Sequence, residues 1–240
     1  MPDVNLAIKP LDLANLLTNA VEISKEAARI EAPKVVMLAY QTSPDGLVGQ
    51  LYSYGCGRYA AGRTRATLDG LPSSEAMSMS LTREHAEELA SALRKTSRAA
   101  EVRVGVSMTE AAVERINPET GAPSWGNLAV SFQDKYLAVL HDADPQGKYE
   151  QVWSRVDDLA ATSGDPVAGV ALMVGVLNRL VKMKGVGDVA DLRATPLPGV
   201  VAAKLGADCV ALLGEVNKGS FAAGGRHGDG PGSKEQLWTQ

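Results

Sequence analysis

Apolar and polar positions at the start of the chain alternate between helical and sheet-like periods. Residues 11–31 place leucine, alanine and isoleucine mostly on one helix face, and Pro33 ends this pattern. A short strand precedes the helix, and three runs of sheet-like alternation follow it. These strands are predicted at residues 4–8, 34–41, 46–54 and 58–68.

The same order of elements then recurs. Residues 76–81 alternate like a strand, and residues 82–99 predict a helix with Thr82 as its N-cap. Three further strands are predicted at residues 101–108, 127–132 and 135–141, and residues 111–116 are an open fourth candidate. Residues 4–142 are therefore interpreted as one unit, a strand, a helix and three strands, used twice. Because the strand connections are too short for crossovers, the predicted fold class is α+β with antiparallel sheets.

The C-terminal part of the chain has a different pattern. Residues 149–161 and 167–184 predict two helices separated by a Gly-Asp-Pro break. The apolar stripe of the second helix is expected to face the core; its members are Val170, Met173, Val174, Leu177, Leu180 and Val181. Strands are predicted at residues 188–194, 199–205 and 208–216. The predicted domains are residues 1–143, a second domain with less sheet at 144–217, and a flexible glycine-rich tail at 218–240.

Basic residues cluster toward the ends of three predicted helices, although the net charge is −4. The clusters are Lys25 and Arg29, then Arg94, Lys95 and Arg98, and finally Arg179, Lys182 and Lys184. They either complement the helix dipoles or form a surface for nucleic-acid phosphates. Arg63 and Arg65 alternate along a predicted strand and therefore share one sheet face. That face either approaches DNA or pairs with acidic residues across the sheet.

The sequence contains no credible catalytic or metal-binding constellation, and neither a cofactor nor a metal is expected. His85 and His141 lack a ligand partner at helical spacing, and Asp157-Asp158 point to different sides of their helix. Two distant cysteines, Cys56 and Cys209, fit a reducing compartment. With no signal peptide and no apolar run long enough to span a bilayer, the predicted location is the cytoplasm.

The doubled unit with basic helices resembles the domain of a DNA sliding clamp. "GRYAAGRTRATL" (57–68) is similar to a bacterial clamp segment in which a turn leads into an arginine-bearing strand. "SMSLTREHAEELASALRK" (78–95) is similar to the strand and helix that follow it. "VGDVADLRATPLPGVVAAKLGADCVALLGEV" (186–216) is similar to the closing strands of the family.

This resemblance implies a non-catalytic ring around duplex DNA that tethers a polymerase and is placed by a clamp loader. Two-helix domains would line the hole, six to a ring, so four helices per chain would imply a trimer. The implied DNA-binding residues are Lys25, Arg29, Arg63, Arg65, Arg94, Lys95, Arg98, Arg179, Lys182 and Lys184. In the tail, Gln236-Leu237-Trp238 resembles the short peptides by which partners dock on bacterial clamps; otherwise it is a stray apolar end.

Two other functions remain open at this stage. The chain could be a clamp-like structural or interaction protein that does not encircle DNA, such as a phage transcription or assembly accessory factor. It could also be an enzyme whose site is not visible in the sequence, with Cys56 or His141 as its reactive group.

Overall fold

A computed structural model describes most of the chain up to residue 214. The described residues are 3–25, 34–57, 60–68, 72, 76–96, 102–116, 123–133, 135–144, 147, 149–162, 164–167, 170, 172 and 174–214. The elements are β1 (Asp3–Ile8), α1 (Pro10–Ser24), β2 (Val35–Thr42), β3 (Gly49–Cys56), β4 (Ala60–Thr67), β5 (Met77–Thr82), α2 (Arg83–Lys95), β6 (Val104–Ile116), β7 (Pro123–Phe132), β8 (Lys135–His141), α3 (Glu150–Ala161), α4 (Val174–Lys182), β9 (Ala190–Ala194), β10 (Val200–Leu205) and β11 (Cys209–Gly214).

The strands form two antiparallel sheets, which confirms the predicted α+β class. One sheet has the order β1-β6-β7-β8, and the other has the order β5-β2-β3-β4-β11-β10-β9. Thr82 caps α2 as predicted, because its Oγ1 accepts a hydrogen bond from the His85 backbone N–H at 3.2 Å.

The repeated unit is present, and its two copies exchange their first strands. β1 of the first unit pairs with β6 of the second, and β5 of the second unit pairs with β2 of the first. Only Lys9 separates β1 from α1, and α2 follows β5 directly. These connections leave no chain with which the first strand could turn back beside its own unit.

A third, shorter unit follows in place of the predicted long helix at 167–184. Residues 164–167 run antiparallel to β9, where the Gly164 and Val167 amides donate to the carbonyls of Ala194 and Leu192 at 2.8 and 2.9 Å. The helix begins at Val174, whereas Val167, Val170 and Leu172 are not helical. The prediction of helix from residue 167 is therefore wrong, and the order is again strand, helix, three strands.

The seven-stranded sheet continues from the first unit into the third. β11 pairs with β4 in the register Cys209↔Thr64 to Leu213↔Ala60. Strand pairing therefore crosses the predicted boundary between residues 143 and 144. The division into two domains stays a prediction.

Three of the four described helices lie side by side on one face of the sheets. α1 is in the middle of this helix row, with α2 on one flank and α4 on the other. Lys25 at the end of α1 contacts Glu87 near the start of α2, so these neighbours are antiparallel. Arg179 of α4 likewise contacts Glu22 near the end of α1, and Asn19 bonds to Lys184 beyond the end of α4. α4 is therefore also antiparallel to α1.

The third helix in chain order lies on the opposite face of the seven-stranded sheet. Trp153 and Val156 of α3 pack with Tyr54 and Ala61, whereas Val176 of α4 packs on the other side. The assumption of four inner helices behind the trimer prediction is therefore wrong. The helix row contains three helices among the described residues.

α1 approaches the sheet so closely that glycine is required beneath it. Gly55 of β3 and Gly62 of β4 are direct cross-strand partners. A Cβ atom at Gly55 would lie 2.1 Å from the Ala20 carbonyl oxygen, and one at Gly62 would lie 3.1 Å from Ile23 Cδ1. Glycine at these two positions therefore allows α1 to pack directly on the sheet.

The predicted core-facing stripe of α4 is wrong for three of its residues. Val174, Leu177 and Val181 are 70%, 42% and 81% exposed, while Val176 and Leu180 are buried against the sheet. Which side of α4 faces the sheet depends on how the helix packs. The apolar pattern alone did not determine this side.

Candidate nucleic-acid interface

The open face of the helix row, which points away from the sheets, carries most of the predicted DNA-binding cations that the structure describes. We define this face by the outward side chains of α2, α1 and α4. Within the described part of the chain, three lysines at helix ends are exposed and make no ion pair there: Lys95, Lys182 and Lys184. These three ammonium groups are available to an anionic partner.

Two other predicted cations are held by an acidic residue between the helices. Glu22 has a side chain only 10% exposed, and its carboxylate bonds to Lys25 Nζ at 2.5 Å. Its second oxygen lies 3.6 Å from Arg179 Nη1. Because this carboxylate offsets both charges, Lys25 and Arg179 present less positive potential to solvent than their number suggests.

The α2 flank has mixed charge. Arg94 donates from Nη2 to the Thr18 hydroxyl at 2.6 Å, which links the C-terminal end of α2 to the middle of α1. The first half of α2 exposes Glu84, Glu87 and Glu88. Positive potential is thus confined to the C-terminal end of α2 and does not extend along the helix.

The end of α4 is fixed by a side-chain amide of α1. Asn19 is fully buried, donates from Nδ2 to the Lys184 carbonyl at 2.9 Å and accepts from the Lys184 amide at 2.7 Å. These two hydrogen bonds fix the position of the Lys184 backbone, while the Lys184 side chain stays exposed. Arg29, Arg98 and the tail residues Gln236, Leu237 and Trp238 lie outside the described residues.

Arg63 lies on the other side of the sheet, beneath α3. Its guanidinium pairs with Asp157 of α3 and stacks over the Tyr52 ring at 5.4 Å. The Tyr54 hydroxyl donates to the same carboxylate at 3.0 Å, and burial together with this carboxylate raises the pKa of Tyr54. Asp157 therefore anchors α3 to the sheet.

Arg65 pairs with an acidic residue across the sheet, which is one of the two alternatives predicted from the sequence. Its Nε and Nη2 atoms donate to Asp208 Oδ1 at 3.0 and 2.7 Å, next to the start of β11. Arg65 and Arg63 are separated from the helix row by the sheet itself. DNA contact by these two arginines stays a prediction, and it does not share a surface with the lysines.

The two cysteine thiols are poorly suited to nucleophilic catalysis. Cys56 is fully buried, and burial raises the pKa of its thiol, which disfavours the nucleophilic thiolate. Burial also raises the pKa of Cys209 to about 11. No group of three or more metal-ligating side chains occurs among the residues that the structure describes. None of the described helices is long and apolar enough to cross a membrane.

Sequence reasoning missed two features of this region. The Arg63–Asp157 pair joins a strand to a helix far along the chain, and nothing in the local pattern links them. The exposed flank of α4 was visible as an apolar stripe, but it was assigned to the core.

Comparison with solved structures identifies the architecture. The β sliding clamp of Caulobacter crescentus aligns with 90% of this chain at 11% identity and a TM-score of 0.54. The chain has the sliding-clamp fold. The DNA polymerase III β subunit of Pseudomonas aeruginosa aligns with 95% of it at 11% identity and a TM-score of 0.54. The β subunit from the DNA polymerase of Streptococcus pyogenes aligns with 94% at 7% identity and a TM-score of 0.55.

The sliding-clamp fold is present here in a shorter form. The chain spans 65% of the Caulobacter clamp, 69% of the Pseudomonas clamp and 66% of the Streptococcus clamp. No family model and no curated protein sequence matches the chain. The likeness therefore lies in the order and packing of the elements.

Proposed function

We propose that the chain is a non-catalytic DNA clamp, which holds duplex DNA against the open face of the helix row and tethers a polymerase or another partner. The observation that carries this proposal is the antiparallel helix row on one side of antiparallel sheets, with exposed lysines at the helix ends. Such cations contact phosphates without reading bases and therefore allow sliding. This role implies loading by a clamp loader and a place in the cytoplasm.

Lys95, Lys182 and Lys184 are the main phosphate contacts in this proposal because each is exposed and unpaired within the described residues. Arg94, Lys25 and Arg179 contribute less, since each already bonds to a neighbour. Arg29 and Arg98 stay predicted members of the surface, and Gln236-Leu237-Trp238 stays a predicted docking peptide.

We propose the number of chains in a ring from a count of the helices in the helix row. A ring of six two-helix domains, as the resemblance implies, takes four copies of a chain that supplies three inner helices. This count replaces the argument for a trimer, which relied on four inner helices. The copy number is measured as the mass of the assembled protein by light scattering.

The first test compares DNA binding by two double variants over a range of salt concentrations. Lys95→Glu with Lys182→Glu alters the open face, whereas Lys135→Glu with Lys204→Glu makes the same charge change on strands β8 and β10. The first pair is expected to weaken duplex binding and to reduce the slope of log K against log salt by about 2. Equal losses in both variants would refute the assignment of this face to DNA.

A second test separates encirclement from simple binding. A closed ring stays on nicked circular DNA in high salt and leaves the same DNA after linearisation. Retention that is equal on both forms, or absent on both, would contradict a topological clamp. Loading factors from the host are included in parallel, because a closed ring does not open unaided.

The alternative is a clamp-fold interaction protein that does not encircle DNA. The pairing of Glu22 with both Lys25 and Arg179 favours it, because this carboxylate neutralises cations where a DNA-facing surface would keep them available. Under this alternative, duplex affinity is negligible at physiological salt, and both double variants behave like the wild type.

A further inference from the structure

Four charged side chains of alternating sign cross the helix row from α2 through α1 to α4. Glu87 of α2 lies 3.6 Å from Lys25 Nζ at the end of α1, and Lys25 bonds in turn to Glu22 at 2.5 Å. The other Glu22 oxygen lies 3.6 Å from Arg179 Nη1 of α4. We call these four residues the ion chain. Its two carboxylates offset its two cations, so the ion chain carries no net charge.

Glu22 differs from the other members of the ion chain in its burial. It is 8% exposed, and its Oε2 accepts no hydrogen bond from the residues that the structure describes. The side chains of Lys25, Arg179 and Glu87 are all more exposed than that of Glu22. A carboxylate that is buried this far depends on neighbouring cations because little water reaches it. Glu22 therefore competes with any external anion for Lys25 and Arg179.

The cations nearer the start of α1 are arranged differently. Arg94 bonds to Thr18, and the Lys184 backbone bonds to Asn19, so the ends of α2 and α4 meet the middle of α1. Lys95 and Lys184 are exposed there and make no ion pair within the described part of the chain. The ion chain lies about one turn further along α1. The open face thus carries free cations at one level of α1 and held cations at the next.

We propose that Glu22 limits how tightly the open face holds duplex DNA, because it keeps Lys25 and Arg179 from contacting phosphates. This inference rests on the proposed function, since it concerns the strength of the same contact. Each phosphate contact contributes about 0.9 to the slope of log K against log salt, so two more contacts would raise the affinity about 60-fold for each tenfold fall in salt. Glu22 keeps the contact weak enough for the duplex to slide, without touching the DNA itself.

Duplex binding measured against salt concentration tests the proposal with a graded set of variants. Glu22→Gln leaves a net charge of +1 on the ion chain, and Glu22→Gln combined with Glu87→Gln leaves +2. The slope is expected to increase in magnitude by about 1 in the first variant and by about 2 in the second. Glu88→Gln is the matched control, since Glu88 is exposed on α2 and makes no ion pair within the described residues. A Glu22→Gln slope equal to that of Glu88→Gln would overturn the proposal.

A purely structural role for Glu22 predicts a different result. If Glu22 only fastens α4 to α1, Glu22→Gln lowers the urea midpoint and leaves the slope unchanged. A comparison of Lys25→Met with Lys184→Met keeps Glu22 in place, with Arg179 as its partner. Loss of the free Lys184 is expected to reduce the slope by about 1, and loss of the held Lys25 by much less. Equal reductions in these two variants would contradict the proposal.

Binding to heparin separates failure of this inference from failure of the proposed function. This sulfated polyanion contacts available cations whether or not the chain holds duplex DNA. Glu22→Gln is expected to elute from heparin at higher salt than Glu88→Gln, and equal elution would overturn the inference. If the wild type binds duplex and neither assay shows a shift, the inference fails and the proposed function stands. If heparin shows the shift but no variant binds duplex, Glu22 withholds the two cations and the proposed DNA function fails.

Discussion

Because α1 packs so closely on the sheet, we expect the fold to be highly sensitive to replacement of Gly55. In the Gly55→Ala variant, the new Cβ would stand 2.1 Å from the Ala20 carbonyl oxygen. An ordinary carbon–oxygen contact is about 3.3 Å, so α1 must retreat by roughly 1 Å. The obstacle is helix backbone, which cannot rotate away as a side chain can.

The expected cost follows from this displacement. Overpacking of a filled core costs typically about 1–3 kcal/mol, and a rigid backbone obstacle favours the upper end. Without a steric obstacle, replacing a strand glycine by alanine raises the free energy of unfolding by about 0.5–1 kcal/mol. We therefore expect Gly55→Ala to lower the free energy of unfolding by about 2 kcal/mol, which shifts the urea midpoint by roughly 1 M.

Equilibrium urea unfolding measures this shift, and Gly164→Ala is the matched control. A Cβ at Gly164 would meet no heavy atom within 4 Å, so this variant is expected to unfold with the wild type. A Gly55→Ala midpoint equal to that of Gly164→Ala would show that α1 does not lie at the described distance from β3.

Three further predictions concern titratable groups. Cys56 and Cys209 are buried with raised pKa values, so a thiol reagent at pH 8 is expected to label them only on unfolding; rapid labelling of the native chain would contradict this. Burial raises the pKa of Asp142 above 3.8, so its contribution to stability is present at low pH and lost as pH rises through the folded value. Asp142→Asn is accordingly expected to gain stability relative to the wild type between acid and neutral pH, and a pH-independent difference would refute this. Asp157→Ala is expected to cost about 1–3 kcal/mol and to increase hydrogen exchange in α3 first, whereas the exposed Asp158→Ala leaves both unchanged.

The sequence was sufficient for features that local periodicity determines. Leu13, Leu16 and Leu17 recur at helical spacing and are buried in α1. The repeated order of strand, helix and three strands was readable for the same reason, and short connections correctly indicated antiparallel sheets. The N-cap at Thr82 was predictable because capping depends on residues only three positions apart.

The remaining features depend on contacts between distant segments. Residues 164–167 pair with β9 and α4 begins at Val174, although the apolar residues of the predicted helix carry no mark of that pairing. The side of the sheet covered by α3 depends on its contacts with distant strands, which include the Arg63–Asp157 pair and the packing of Trp153. Candidate lysines could be found as clusters. The Glu22–Lys25 pair has helical i,i+3 spacing and was readable from the sequence, whereas the contact between Glu22 and Arg179 joins distant segments that no local spacing links.

Connection length explains why the first two units exchange their first strands while the third unit keeps its own. With only Lys9 between β1 and α1, and nothing between β5 and α2, each first strand must pair with the other unit, so neither unit is complete without its partner. Residues 168–173 separate the corresponding strand of the third unit from α4, and this strand pairs with its own β9. The first strand of the third unit therefore needs no fourth unit as its partner. It occupies the outer edge of β9, and the third unit joins the first through the pairing of β11 with β4. Connection length thus accounts for which first strands are exchanged between units and which is retained.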